Sequence, residues 1–169
     1  CNMDSISEGK IQNMLNSKYI GNAKYKVPNI FVFGWESDFF LQKENGYCYE
    51  FEIKISRSDF LADFKKQRHI NIQKQEKKLR PNKFYYVVPV GMVSKEEVPN
   101  YAGLMYVDDF SIITIKEAPF IHKEKLKLEN NLCHKFYHYW VNQKIENRDL
   151  RNNIKYQDSI IQKLTKSKI

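Results

Sequence analysis

Trp35-Glu36-Ser37-Asp38-Phe39-Phe40-Leu41-Gln42-Lys43-Glu44-Asn45-Gly46-Tyr47-Cys48-Tyr49-Glu50-Phe51-Glu52-Ile53-Lys54-Ile55 is a pair of strand-like runs joined at Asn45-Gly46. Asn-Gly between such runs is a strong hairpin signal, and the loop length decides which side chains face one another. Two registers compete. A two-residue loop pairs Glu44 with Tyr47 and sets Asp38 opposite Ile53, mixing charged and apolar side chains on both faces. A three-residue loop, Glu44-Asn45-Gly46 with Gly46 left-handed, pairs Lys43 with Tyr47, Asp38 with Glu52 and Glu36 with Lys54. The faces then separate, with Phe39, Leu41, Tyr49, Phe51, Ile53 and Ile55 on one side and Glu36, Asp38, Glu50, Glu52 and Lys54 on the other. The spacing therefore predicts the three-residue loop.

Acids directly opposite each other on a ladder destabilise the pair unless something positive compensates them. A divalent cation does so, because carboxylate oxygens are the hard ligands Mg²⁺ prefers and one or two of them suffice when waters and substrate phosphate complete its shell. Asp38 and Glu52 supply that pair. Lys54, two residues along on the same face, can orient a metal-bound water or stabilise charge building on phosphate. Glu-x-Lys is also common on the solvated face of strands in any lysine- and glutamate-rich chain, so the pattern alone leaves a catalytic and a solvated face both open.

Asp38, then thirteen residues, then Glu52-Ile53-Lys54, behind a first helix and ahead of an amphipathic one, resembles the PD-(D/E)XK nuclease (restriction-endonuclease-like) superfamily. The run Tyr49 to Phe64 is similar to that of its small stand-alone members. The resemblance spans about residues 5–116 and implies an α/β (α+β) fold with an αβββαβ core, a mixed sheet flanked by helices. It implies Mg²⁺-dependent hydrolysis of nucleic-acid phosphodiesters, with Mn²⁺ as a substitute. Asp38, Glu52 and Lys54 would be the catalytic set, and Asp38, Glu52 and the Ile53 backbone carbonyl the metal ligands. In that superfamily an acid on the first helix often completes the shell. Glu8 is the candidate here, although Ser5 and Glu8 also read as a capping box for a helix running to about Tyr19.

The chain has 169 residues, a net charge of +8 and a pI near 9.2, which is one domain of ordinary size with a balance that favours a polyanionic partner. From Lys65 to Lys83 it carries Lys65, Lys66, Arg68, Lys74, Lys77, Lys78, Arg80 and Lys83 against the single acid Glu76. Beside an acidic metal face, such a run suits phosphate-backbone binding driven by counterion release, while a solvated helix face is the bland alternative. Ser56 and Asp59 cap a predicted helix that starts there and ends before Pro81, with Phe60, Leu61 and Phe64 buried. Asp59 and Asp63 read first as structural residues near its positive end. Lys65, Lys66, Gln67, Arg68 and Lys74 are the candidate nucleic-acid contacts, and Arg57 joins them unless it pairs with a carboxylate.

Downstream, Lys83–Val88 reads as a buried strand, and residues 104–107 and 112–115 as further short strands. Lys125 to about Lys144 reads as an amphipathic helix carrying Leu126, Leu128, Leu132, Phe136, Tyr139 and Trp140, followed by a weaker helix or tail able to support a homodimer. The expected organisation is thus a single domain over 1–169, with a core of about 5–116 and a helical extension over about 122–169. Cys133, His134 and His138 lie close together but lack a fourth zinc ligand. Cys1, Cys48 and Cys133 form no disulfide framework and suit a reducing compartment. No apolar run is long enough to span a membrane and no signal peptide is evident, so a cytoplasmic protein is expected.

The sequence thus favours a metal-dependent nuclease acting on DNA, in repair, recombination or phage and defence DNA processing. A Holliday-junction resolvase, or a module that grips nucleic acid without cutting, is the alternative.

Overall fold

A computed structural model of the chain describes residues 6–74 and 79–166. The chain divides into two compact units, residues 1–127 and 128–169. In the first, α1 (Glu8–Lys18) leads into β1 (Tyr25–Phe31), β2 (Glu36–Gln42) and β3 (Cys48–Ile53). Two short helices, α2 (Arg57–Asp63) and α3 (Gln67–Gln73), precede β4 (Lys83–Pro89), β5 (Ala102–Val107) and β6 (Ile112–Lys116). The strands form one six-stranded sheet in chain order. β1, β2 and β3 are antiparallel, β4 and β5 run parallel to β3, and β6 closes the far edge antiparallel. This is a mixed α+β architecture with helices flanking a mixed sheet.

The β2–β3 hairpin takes the three-residue loop. Phe39 pairs with Phe51, Phe40 with Glu50, Leu41 with Tyr49 and Gln42 with Cys48. The Lys43 amide donates to the Tyr47 carbonyl at 2.9 Å, and the Gly46 amide to the Lys43 carbonyl at 2.9 Å. Gly46 has φ +88°, a conformation that costs a side-chain-bearing residue about 1 kcal/mol or more. Phe39, Leu41, Phe51 and Ile53 then join Ile11 and Leu15 of α1 in one core, and Tyr49 packs at its margin. Across the sheet, Phe60 of α2 and Ile72 of α3 join Phe84, Tyr86, Val88 and Leu104 in a second core.

Several local expectations are corrected. Ile55 is 43% exposed because β3 ends at Ile53 and the chain turns into α2. The basic segment is not one helix. The chain leaves helical geometry after α2, and Lys66 is extended (φ −76°, ψ 137°) before α3 begins. On an unbroken helix, residues 63 and 68 would point about 140° apart; the break brings Asp63 and Arg68 into contact. Leu61 and Phe64 are 51% and 37% exposed, leaving Phe60 as the buried residue of the predicted stripe. Ser7, not Ser5, caps α1, its hydroxyl accepting from the Lys10 amide at 3.3 Å. Glu8 is therefore the first helical residue, not the third, and it is exposed. Ser5, Glu76, Lys77 and Lys78 lie outside the described residues.

β1 carries Pro28, which weakens its strand signature, but it is an edge strand, where a missing amide is tolerated. The second unit is α4 (Glu129–Lys166), a single helix of 38 residues rather than a helix followed by a weaker tail. Leu126 and Leu128 precede it and are buried, whereas Tyr139 and Trp140 are exposed. Among the described residues no helix is long and apolar enough to cross a membrane.

Candidate active site

β2 and β3 carry the acids to one end of the sheet. Continuing the ladder register past Phe39–Phe51 sets Asp38 opposite Glu52. The Ile53 amide donates to Asp38 Oδ2 at 2.8 Å, which fixes that carboxylate and leaves Oδ1 for another partner. α1 holds the same strand from behind: Gln12 Nε2 donates to the Asp38 carbonyl and to Asn29 Oδ1, both at 2.9 Å. Asn29 has φ +49°, a left-handed conformation that asparagine tolerates, and it interrupts the β1 ladder beside Asp38.

α2 and α3 close over this end of the sheet, so Glu50, Glu52 and Lys54 are interior, while Asp38 is half-buried and Glu36 stays exposed. Glu52 is 1% exposed and Lys54 8%. Lys54 Nζ contacts Glu52 Oε1 and lies 3.4 Å from Asp63 Oδ1. Arg68 is buried and forks between the acids: Nη1 donates to Glu52 Oε2 at 2.6 Å while Nη2 contacts Glu52 Oε1 and Asp63 Oδ1. Asp63 also receives Lys66 Nζ at 2.9 Å, the Tyr86 hydroxyl at 2.8 Å and His69 Nε2 at 2.7 Å, and His69 Nδ1 meets the Tyr101 hydroxyl at 2.6 Å. Above this network an open cleft of about 460 Å³ is lined by Glu8, Glu36, Asp38, Glu52, Lys54 and Lys66, with Ile53, Ile55, Asp59, Ala62 and Arg68.

The electrostatics divide the carboxylates into two kinds. Burial by itself would raise Asp63, but the His69 hydrogen bond and the charges of Arg68 and Lys54 hold it well below the usual carboxylate range. Burial would lower Lys54, yet Glu52 and then Asp63 outweigh it and raise the lysine, so Lys54 is a cation at neutral pH. Asp38 is pushed up to about 7, first by burial and then by the charge of Glu52. Glu50, next along the Glu52 face, is fully buried; Trp35 Nε1 donates to it at 2.7 Å, and burial pushes it up to about 8. Burial thus outweighs the attraction of Lys54 for Asp38 and of Arg68 for Glu50, whereas Glu52 and Asp63 are in direct contact with those cations.

A hard divalent cation fits this donor set. Asp38, at the cleft, is penalised by burial and by the charge of the neighbouring Glu52, and Mg²⁺ needs only one or two carboxylates. Binding requires Glu52 to release an oxygen now held by Lys54 and Arg68. Among the described residues no group of three or more His, Cys, Asp or Glu side chains surrounds a common metal position. Glu8 lines the cleft but accepts only a Gln12 hydrogen bond, at 3.3 Å.

Of the predicted site residues, the fold gathers Asp38, Glu52, Lys54 and Lys66 around one cleft. Arg68 is there too, as a buried partner of the acids instead of a free phosphate contact. Arg57 is occupied as well, donating to the Met92 carbonyl at 2.9 Å and pairing with Glu97. Lys65, Gln67 and Lys74 remain exposed. Asp63, His69, Tyr86, Tyr101 and Gln12 were not predicted. Asp63 had one signal in the sequence: it lies three residues after Phe60, on the buried side of α2, where an unpaired acid is untenable. The Cys133, His134 and His138 cluster lies on α4, its imidazole Nε2 atoms 3.1 Å apart and the cysteine exposed.

No protein-family model and no curated protein matches the chain significantly. Among solved structures it is similar to the SPO1766 protein of unknown function from Silicibacter pomeroyi, at 19% identity and a TM-score of 0.56, over 83% of this chain and 87% of that one. At that identity the likeness concerns the fold.

Proposed function

We propose that the protein is a metal-dependent nuclease of the restriction-endonuclease-like kind, cleaving phosphodiester bonds of DNA. The observation that carries this reading is the Asp38–Glu52 pair: two carboxylates set side by side at a cleft, Asp38 raised to about 7 by burial and by the charge of Glu52, with protonated Lys54 in contact with Glu52. Sites with carboxylates perturbed by burial and by each other are where chemistry is most often found.

Asp38, Glu52 and the Ile53 carbonyl would hold Mg²⁺, which when bound lowers the pKa of a coordinated water and neutralises charge on phosphate oxygens. Lys54 acts as a cation, not as a base: it carries its proton at neutral pH, so it orients the attacking water or stabilises charge gathering on the scissile phosphate. To hold the metal, Glu52 would give up its contact with Lys54, whose Nζ would then be available to the substrate. Asp63 keeps Arg68 and Lys66 in place, and Lys66, 53% exposed at the rim, is positioned for the neighbouring phosphate. Gln12 and the Ile53 amide orient Asp38.

A second reading, a module that binds nucleic acid without cutting, is favoured by the double engagement of Glu52 by Lys54 and Arg68. Plasmid, linear, single-stranded and four-way-junction DNA, and RNA, incubated with the protein in Mg²⁺, Mn²⁺ or chelator, separate the two. Cleavage that needs metal and is lost in Glu52→Gln and Lys54→Ala supports the nuclease. Equal cleavage by wild type and both variants, or salt-sensitive binding with no cleavage, overturns it. Preferential symmetric cutting of the junction would mark a resolvase.

A further inference from the structure

α4 is about 57 Å long at 1.5 Å per residue, and its large apolar side chains stand out in solvent. Trp140, Leu150, Ile154, Ile161 and Leu164 are each between 57% and 60% exposed. A helix that long with such a stripe needs something to cover it.

The stripe follows a seven-residue repeat. With Asn147 at position a of the heptad, Trp140, Ile154 and Ile161 also fall at a, and Phe136, Leu150 and Leu164 fall at d. The repeat runs from Cys133 to Leu164, about four and a half heptads, with Gln143 and Gln157 as polar d positions. Ile at a with Leu at d favours two parallel strands, and a single Asn at a fixes register by pairing with its own equivalent. Charge agrees with that alignment. In a parallel pair, g-position Glu146 faces e-position Arg151 of the partner subunit, and by symmetry the contact occurs twice. Of the basic side chains, Lys144 and Arg151 lie at e positions, flanking the seam, and Arg148 and Lys155 at b positions, on the outer side.

We propose that α4 pairs with α4 of a second copy of this chain as a parallel, in-register two-stranded coiled coil. Asn147 sets the register, Ile154, Ile161, Leu150 and Leu164 supply the apolar seam, and Glu146 with Arg151 flanks it. The pairing is independent of whether the cleft cuts DNA.

Analytical ultracentrifugation of the full chain, across about a hundredfold range of micromolar concentrations, reads the mass directly. Twice the 20.3 kDa of one chain is expected. Ile154→Asp should weaken association by at least about tenfold, because it places a charge in the seam. Asn147→Ile should tighten it and admit higher oligomers, an outcome that misfolding does not mimic. Cys133, exposed and at a, should join its equivalent through a short bis-maleimide, and Cys133→Ser should abolish that product. A monomer throughout, or one that associates only when DNA or another protein is added, overturns the proposal. So does a dimer indifferent to both substitutions, and a dimer without the Cys133 cross-link excludes the parallel alignment.

Discussion

Replacing Asp38 with asparagine should stabilise the protein, in chelator, above neutral pH and abolish the proposed metal-dependent cleavage. The carboxyl is raised from 3.8 to about 7 by burial and by Glu52. Because the folded-state value lies above the unfolded one, its favourable contribution is complete below about pH 4 and is lost as pH rises through about 7. Above that, a shift of about three units sets an upper limit of about 4 kcal/mol, which partial solvent access at the cleft reduces to about 2 kcal/mol. Asparagine removes the repulsion and keeps an oxygen to accept the Ile53 amide, but it forfeits the attraction to Lys54, so a net gain of about 1–2 kcal/mol at about pH 8 is expected. That is a rise in Tm of several degrees, about 2–8 °C for a protein of this size. Thermal unfolding of wild type and Asp38→Asn in chelator, from about pH 5 to 8, should show the gap widen with pH and then level off. Glu50, pushed to about 8, tilts both curves alike and cancels in the comparison. Mg²⁺ should raise the Tm of wild type and leave the variant nearly unchanged. A variant less stable than wild type at every pH, or a gap that ignores pH, would refute a penalised carboxylate at this position.

Arg68→Ala should cost about 3–5 kcal/mol in denaturant unfolding, since it strands buried Glu52 and Asp63, and Arg68→Lys should recover only part because it lacks the fork. Gly103→Ala should cost about 1–3 kcal/mol by the same assay: its methyl would stand 2.4 Å from the Tyr85 ring and 2.7 Å from the Ala118 nitrogen. If the cleft binds DNA, joint substitution of Lys65, Lys66 and Lys74 by alanine should flatten the plot of log affinity against log salt by about 2–3. Arg57→Ala should leave that slope almost unchanged, because Arg57 is already paired with Glu97; fluorescence anisotropy at several salt concentrations checks both.

The sequence alone determined the hairpin and its register. Turn chemistry and period-two alternation act over a few residues, and one loop length kept Phe39, Leu41, Phe51 and Ile53 together while bringing Asp38 across from Glu52. It also determined the strands that follow, but of the last helix only the part up to about Lys144, which the structure continues unbroken to Lys166. Tertiary structure decided what the acidic face became. Whether a polar strand face meets water or a covering layer depends on where α2 and α3 pack, and that follows from contacts between Phe60, Ile72 and β4, more than twenty residues apart in part. The helix break between Asp63 and Arg68 has the same origin: helix propensity favours continuity, but burying Glu52 requires a guanidinium and a second acid at one point, which an unbroken helix cannot deliver. The roles of Arg68 and Asp63 thus reversed, one from phosphate contact to internal partner and the other from helix-start acid to the centre of the network. Local pattern gives a residue's chemistry and its neighbours on an element; only packing settles which charges are left to meet a ligand.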